Sequence, residues 1–153
     1  MQIKAYIDID GVLIRIDRPD REELIPRFKH VLGFLKANFD CYWLTTNVTK
    51  GSGSAGAIRR LNPFMREAQI DPAILDGIKP TVWKTLKPEA IDLNECFIWL
   101  DDDPLPSERR ILHEYGCAES LIEIDWRKRA KRLTVRRLKR IRRNLLRASP
   151  RPE

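Results

Sequence analysis

Tyr6-Ile7-Asp8-Ile9-Asp10-Gly11-Val12-Leu13 decides how the rest of the chain is read: two aspartates one residue apart end an apolar segment, and a glycine follows. Ile3, Ala5, Ile7 and Ile9 alternate with Lys4, Tyr6, Asp8 and Asp10, so a strand here carries both carboxylates on one face. Close like charges raise each other's pKa unless a cation intervenes, and a divalent metal bound by oxygen ligands is the simplest remedy. Gly11 lets the chain turn sharply, leaving the pair at the carboxyl end of the strand, where open α/β sheets place their ligands. Taken alone, the pair reads equally well as solvated residues on the wet side of an edge strand.

Working outward, Pro19-Asp20 reads as a helix start, and the spacing of Leu24, Phe28, Val31, Leu32 and Leu35 predicts a helix from about Asp20 to Ala37. Residues 11–17 before it form a short extended flap. Asp40 to Thr45, apolar through Cys41-Tyr42-Trp43-Leu44, predicts a buried strand. The loop from Thr46 to Gly56 contains Gly51, Gly53 and Gly56 but lacks the GK[ST] ending of a P-loop. It is read as a flexible connection in which Ser52 or Ser54 caps a helix through Leu61, ended by Asn62-Pro63.

Residues 63–80 read as irregular covering structure, and Thr81 to Leu86 as a short helical turn. A second apolar strand, Glu95 to Leu100, runs into Asp101-Asp102-Asp103-Pro104. Pro106-Ser107 opens a helix closed by Gly116, and Ser120 to Ile124 is a last strand. The alternation predicts an α/β fold: a three-layer, Rossmann-like parallel sheet with helices on both faces.

Length and composition agree with one domain. The chain has 153 residues, 42% apolar and 33% charged. Its net charge of +7 hides an asymmetry: residues 127–153 carry 13 Lys/Arg against one acid, whereas residues 1–126 carry 16 against 21. The division expected is a domain over 1–126 and a basic amphipathic helical tail over 127–153. Cys41, Cys96 and Cys117 lack CxxC spacing and read as buried free thiols of a reducing compartment. No apolar run approaches the ~20 residues of a membrane span, and the start of the chain lacks a signal-peptide design, so a cytoplasmic protein is expected.

Three apolar strands thus end in polar residues: Asp8 and Asp10, then Thr45 and Thr46, then Asp101, Asp102 and Asp103. In a parallel sheet these ends meet at one rim. In this respect the chain resembles the haloacid dehalogenase (HAD) superfamily of phosphotransferases over residues 3–104. Asp8-Ile9-Asp10-Gly11-Val12-Leu13 is similar to its first motif, Trp43-Leu44-Thr45 to its second, and Ile98-Trp99-Leu100-Asp101-Asp102 to its fourth. For the third, Lys79 and Lys84 both stand at usable distances from Asp101. Lys84 is preferred because it lies on the turn leading to the acidic strand.

The resemblance implies that Asp8 is the nucleophile, Asp10 the acid and base, and Thr45 and Lys84 the ligands of the phosphoryl oxygens. It also implies Mg²⁺ held by Asp8, the carbonyl of Asp10 and one of Asp101 or Asp102. Retention of the second aspartate favours phosphomonoesterases over dehalogenases. Asp10 to Thr45 spans 35 positions and Thr45 to Lys84 spans 39, too few for a folded cap domain in either gap. An open, capless site suits a macromolecular or nucleotide-type phosphoester.

From Arg127 to Arg147 there are 12 Lys/Arg and no acid. Leu138, Ile141 and Leu145 share a helical face, so the apolar side can dock while the charges stay solvated, or the charges can hold nucleic acid, anionic lipid or an acidic protein. The rival to an enzyme is therefore a non-catalytic binding protein that uses residues 127–147 to hold nucleic acid or an acidic partner. The oligomeric state is not legible.

Overall fold

The computed structural model describes residues 2–48 and 53–149. A four-stranded parallel sheet has the order β4-β1-β5-β6, with β1 Lys4–Ile7, β4 Asp40–Trp43, β5 Phe97–Asp101 and β6 Leu121–Glu123. β1 lies between β4 and β5, in register Tyr6 with Tyr42 and with Trp99. The chain therefore carries a Rossmann-like α/β fold, with a second, two-stranded sheet beside it.

Side-chain alternation along β1 builds two cores. Ile3, Ala5 and Ile7 face one side, together with Val31, Leu32 and Leu35 of α1 (Phe28–Asn38) and Leu61 and Met65 of α2 (Ala55–Glu67). Tyr6 faces the other, with Phe97, Trp99 and Leu112 of α3 (Pro106–Glu114). A strand covered on both faces loses the wet side that would have explained Asp8 as a solvated residue.

Several elements differ from expectation for physical reasons. Residues 20–24 are not helical: β2 (Ile14–Arg18) and β3 (Arg21–Leu24) form an antiparallel hairpin pairing Ile14 with Leu24, and Pro19-Asp20 is its turn. Pairing buries Ile14, which a helix starting at Asp20 could not do. The helix then begins only at Phe28, after Pro26. α2 does not stop at Pro63 but continues to Glu67, because Leu61 and Met65 on either side of the proline are fully buried and hold both halves on the core. Ser52 and Gly51 lie outside the described residues. Ser54 does not cap α2 through its side chain; its hydroxyl donates to the Ile78 carbonyl at 3.2 Å. The helical turn expected at 81–86 lies instead at Lys87–Ala90.

The basic tail, as far as residue 149, packs on the same core as the rest of the chain. Helix α4 (Val135–Ala148) is capped by the Thr134 hydroxyl, which accepts from Arg137 N–H at 3.1 Å. Leu133 and Leu138 are fully buried in the core shared with α1, and Ile141 and Leu145 pack against it. No break in packing occurs at residue 126. Among the described residues no helix is long and apolar enough to cross a membrane.

Candidate active site at the carboxyl rim of the sheet

The described residues include four buried polar or charged side chains, Asp8, Thr45, Asp101 and Glu108. All four belong to one rim. Buried polar groups cost stability unless they are satisfied, so this grouping marks the place where the fold accepts that cost. β1 and β5 are hydrogen-bonded neighbours, so Asp8, just past β1, and Asp101, the last residue of β5, emerge side by side; the Asp8 N–H donates to the Leu100 carbonyl at 3.1 Å. Thr45 follows β4 on the other flank.

The lysine at this rim is Lys87. Its Nζ donates to Asp8 Oδ2 at 2.9 Å and to Asp101 Oδ2 at 2.7 Å. Lys84, the preferred residue in the sequence, is exposed and lies outside the cluster; its backbone N–H donates to Glu89 at 3.0 Å. Lys79 extends the sheet beside β4 and pairs with Asp40 at 3.0 Å. The displacement follows from the helical turn beginning at Lys87 rather than near Thr81. Buried Glu108 on α3 then holds it there, accepting from the Lys87 N–H at 2.7 Å and the Leu105 N–H at 2.9 Å. A sequence signal did exist, since Lys87-Pro88 starts the turn nearest the acidic strand, but three lysines within nine positions obscured it.

Asp8 and Asp10 have separate surroundings. Asp8 Oδ1 accepts from the Ile9 N–H at 2.8 Å while its other oxygen meets Lys87. Asp10 Oδ1 accepts from Arg60 of α2, through Nε at 2.9 Å, and Oδ2 accepts from Asn47 Nδ2 at 3.0 Å. Arg60 also donates to Glu22 of the hairpin at 2.9 Å. Asn47 donates through both its side chain (3.0 Å) and its backbone (3.3 Å) to Thr45 Oγ1, leaving the threonine hydroxyl proton unassigned to either bond. Neither Arg60 nor Asn47 was identified from the sequence; Arg60 reaches the site only through long-range packing of α2, whereas Asn47 follows Thr45 by two residues and arrives with it.

Burial pushes the Asp8 carboxyl up and Asp101 adds to it, while Lys87 pulls the other way. For Lys87 burial works to lower the pKa, yet Asp8 and Asp101 hold it above the ordinary lysine range. Asp102 is pushed up to about 6, by burial and by Asp101.

One carboxylate oxygen from each of Asp8, Asp101 and Asp102 lies within 4.8 Å of the others, the reach of a single bound cation. Both Asp101 and Asp102 thus join Asp8, whereas the Asp10 carboxylate is turned to Arg60. Three carboxylates form an all-oxygen donor set suited to a hard divalent ion. Asp103 is exposed and contributes its N–H to Asp101 Oδ1 at 3.0 Å. Beside the triad opens a cleft of about 460 Å³ lined by Gly11, Asp17, Asp102, Asp103 and Trp126. The inserted β2–β3 hairpin is the largest element between β1 and α1, so no cap domain stands there.

No family model, no curated protein and no solved structure matches this chain.

Proposed function

We propose that the chain is a Mg²⁺-dependent phosphomonoester hydrolase of the HAD type, working through an aspartyl-phosphate on Asp8. The observation that carries the reading is the convergence of buried Asp8, Thr45 and Asp101 with half-buried Lys87 at the carboxyl rim of a parallel sheet.

In the first step an Asp8 carboxylate oxygen bonds to phosphorus as the phosphorus–oxygen bond to the leaving group breaks, and Asp10 delivers the proton that the leaving alkoxide needs. In the second, water attacks the same phosphorus, its proton passes to Asp10, and Asp8 leaves as a carboxylate with release of inorganic phosphate. Asp10 Oδ1 takes both bonds from Arg60, whereas Oδ2 takes one from Asn47, so Oδ2 is the oxygen with a lone pair left for the transferred proton. Thr45 and Lys87 bind the equatorial phosphoryl oxygens, where charge spreads in the transition state. Asp8, Asp101 and Asp102 would hold Mg²⁺, which when bound neutralises the negative charges that otherwise repel a phosphate from Asp8. The cysteines are free thiols, Cys41 buried but Cys96 and Cys117 only half-buried rather than buried as expected, and they suit a reducing, cytoplasmic setting.

The test is turnover of a generic phosphomonoester such as p-nitrophenyl phosphate with Mg²⁺ and with chelator. Metal-dependent turnover lost in Asp8→Asn supports the reading, and an intact protein inert on a broad phosphoester panel sinks it. One observation favours a second reading, a non-catalytic binding protein: among the described residues, no carboxylate forms an ion pair with a cation of α4.

A further inference from the structure

Docking of α4 on α1 spends its apolar side and leaves a continuous basic face outward. Arg136, Lys139, Arg140, Arg143 and Arg147 are all exposed, and they recur at three- and four-residue steps opposite Leu138, Ile141 and Leu145. Two grooves run beside this stripe. One, of about 610 Å³, is lined by Arg27, Arg132, Arg136, Lys139 and Arg143 over an apolar floor that includes Val31 and Leu133, with no acid in its lining. The other, of about 510 Å³, shares Lys139 and Arg143 and adds Arg142 and Arg147. Beside the stripe, Arg132 and Arg137 are held by backbone carbonyls, of Trp126 and of Lys131 and Glu123, and so keep their charge unneutralised.

We propose that this trough binds the sugar-phosphate backbone of a nucleic acid, without reading its sequence. From Arg136 to Arg147 the helix rises about 16 Å at ~1.5 Å per residue, and each of the five exposed cations along it can meet one phosphate. Five cations thus face about five anions. A membrane surface fits less well, since interfacial helices need an apolar face to bury, and here that face lies in the core, with Leu146 the one large apolar residue of α4 left exposed. A protein partner fits less well too, because interface centres are rich in aromatic and apolar anchors and poor in lysine, and no aromatic residue occurs from Arg127 to Glu153. Of the aromatic residues lining the grooves, Trp126 is 4% exposed and Phe34 half-buried, so base stacking adds little, and binding is electrostatic and indifferent to sequence. Trp126 lines both the basic groove and the cleft beside Asp102, which places a bound strand next to the acidic rim.

The inference stands apart from the hydrolase reading, and its test uses the full chain and a fluorescent, random-sequence 20-nucleotide strand. Expected is binding that weakens about a hundredfold between 50 and 200 mM salt, as release of counterions from about five phosphates requires. The exposed-residue triple variant Arg136→Ala/Lys139→Ala/Arg143→Ala should bind at least tenfold more weakly at low salt, with a slope reduced by about 2. The charge-preserving Arg136→Lys/Arg143→Lys should retain binding. Asp8→Asn should bind the strand like the parent, separating this surface from catalysis: turnover without strand binding overturns the inference alone, and strand binding without turnover overturns the hydrolase reading alone. The inference also falls if the triple variant, folded by circular dichroism, binds unchanged, or if polyglutamate of equal charge or phosphatidylserine vesicles bind as tightly as the oligonucleotide.

Discussion

At Gly11 a methyl group has nowhere to go. The residue sits at φ +77°, and a Cβ there would lie 1.9 Å from Asp102 Oδ2. Its carbonyl is held by Trp126 Nε1 at 3.1 Å, so the backbone cannot retreat easily. Gly11→Ala should therefore push Asp102 out of the carboxylate triad. On the proposed Mg²⁺ site, the parent should gain thermal midpoint with Mg²⁺ and the variant should not, measured by differential scanning fluorimetry with and without chelator. Lys87 and Lys84 make a second contrast at this scale. Lys87→Ala should lower kcat by about a hundredfold or more, as removal of a transition-state donor does elsewhere. Lys84→Ala, which alters an exposed side chain, should leave kcat within about twofold. Equal effects of the two variants would contradict the placement of Lys87.

Asp102 also gives a signed pH dependence. Its folded pKa, pushed up to about 6, lies above the ordinary value of 3.8. An acid raised on folding binds its proton more tightly in the native state, so it costs nothing below the unfolded pKa. The cost grows as pH rises through the window from about 4 to 6, and is full above it. Without metal, Asp102→Asn should thus be more stable than the parent above pH 6, with the difference fading toward pH 4. Denaturant melts of both proteins across that range provide the check.

At the scale of elements, α3 and the turn at Lys87–Ala90 act as a pair. Glu108 accepts one backbone N–H from each side, Lys87 and Leu105, and is itself 4% exposed. Replacing one carboxylate oxygen by an amide sets a donor against a donor. Glu108→Gln should cost about 1–3 kcal/mol in chemical denaturation and should lower turnover through misplacement of Lys87. A lowered kcat in a variant that melts like the parent would still agree with positioning; unchanged stability and unchanged kcat together would not. The β2–β3 hairpin has a similar link to the rim, since Arg60 joins Glu22 to Asp10.

For the whole molecule, α4 is a structural layer as well as a charged surface. Leu138 is fully buried against the core that α1 closes. Leu138→Ala should cost about 2–5 kcal/mol, and truncation after residue 126 should yield an aggregating chain rather than a minimal catalytic domain, seen by size-exclusion chromatography. A monomeric, cooperatively melting 1–126 fragment would show that α4 is dispensable.

The sequence by itself determined the layer order and the acidic rim. Strand alternation at residues 3–9 and the apolar runs before Thr45 and Asp101 are local patterns, each ambiguous alone, that together read as a parallel sheet whose strand ends gather polar groups. The amphipathic phase of α4 was equally local. Only the tertiary structure decided which lysine meets Asp8, that Asp10 faces Arg60 and Asn47, and that the segment after Asp20 is a hairpin. Those outcomes depend on contacts between residues far apart in the chain, such as Lys87 with Asp8 and Arg60 with Asp10, and on burial of Ile14, Leu61 and Met65 outweighing the local signals of Pro19 and Pro63. Periodicity reports which side of an element is apolar. Which charged partners the packed elements then bring together is set by the fold as a whole.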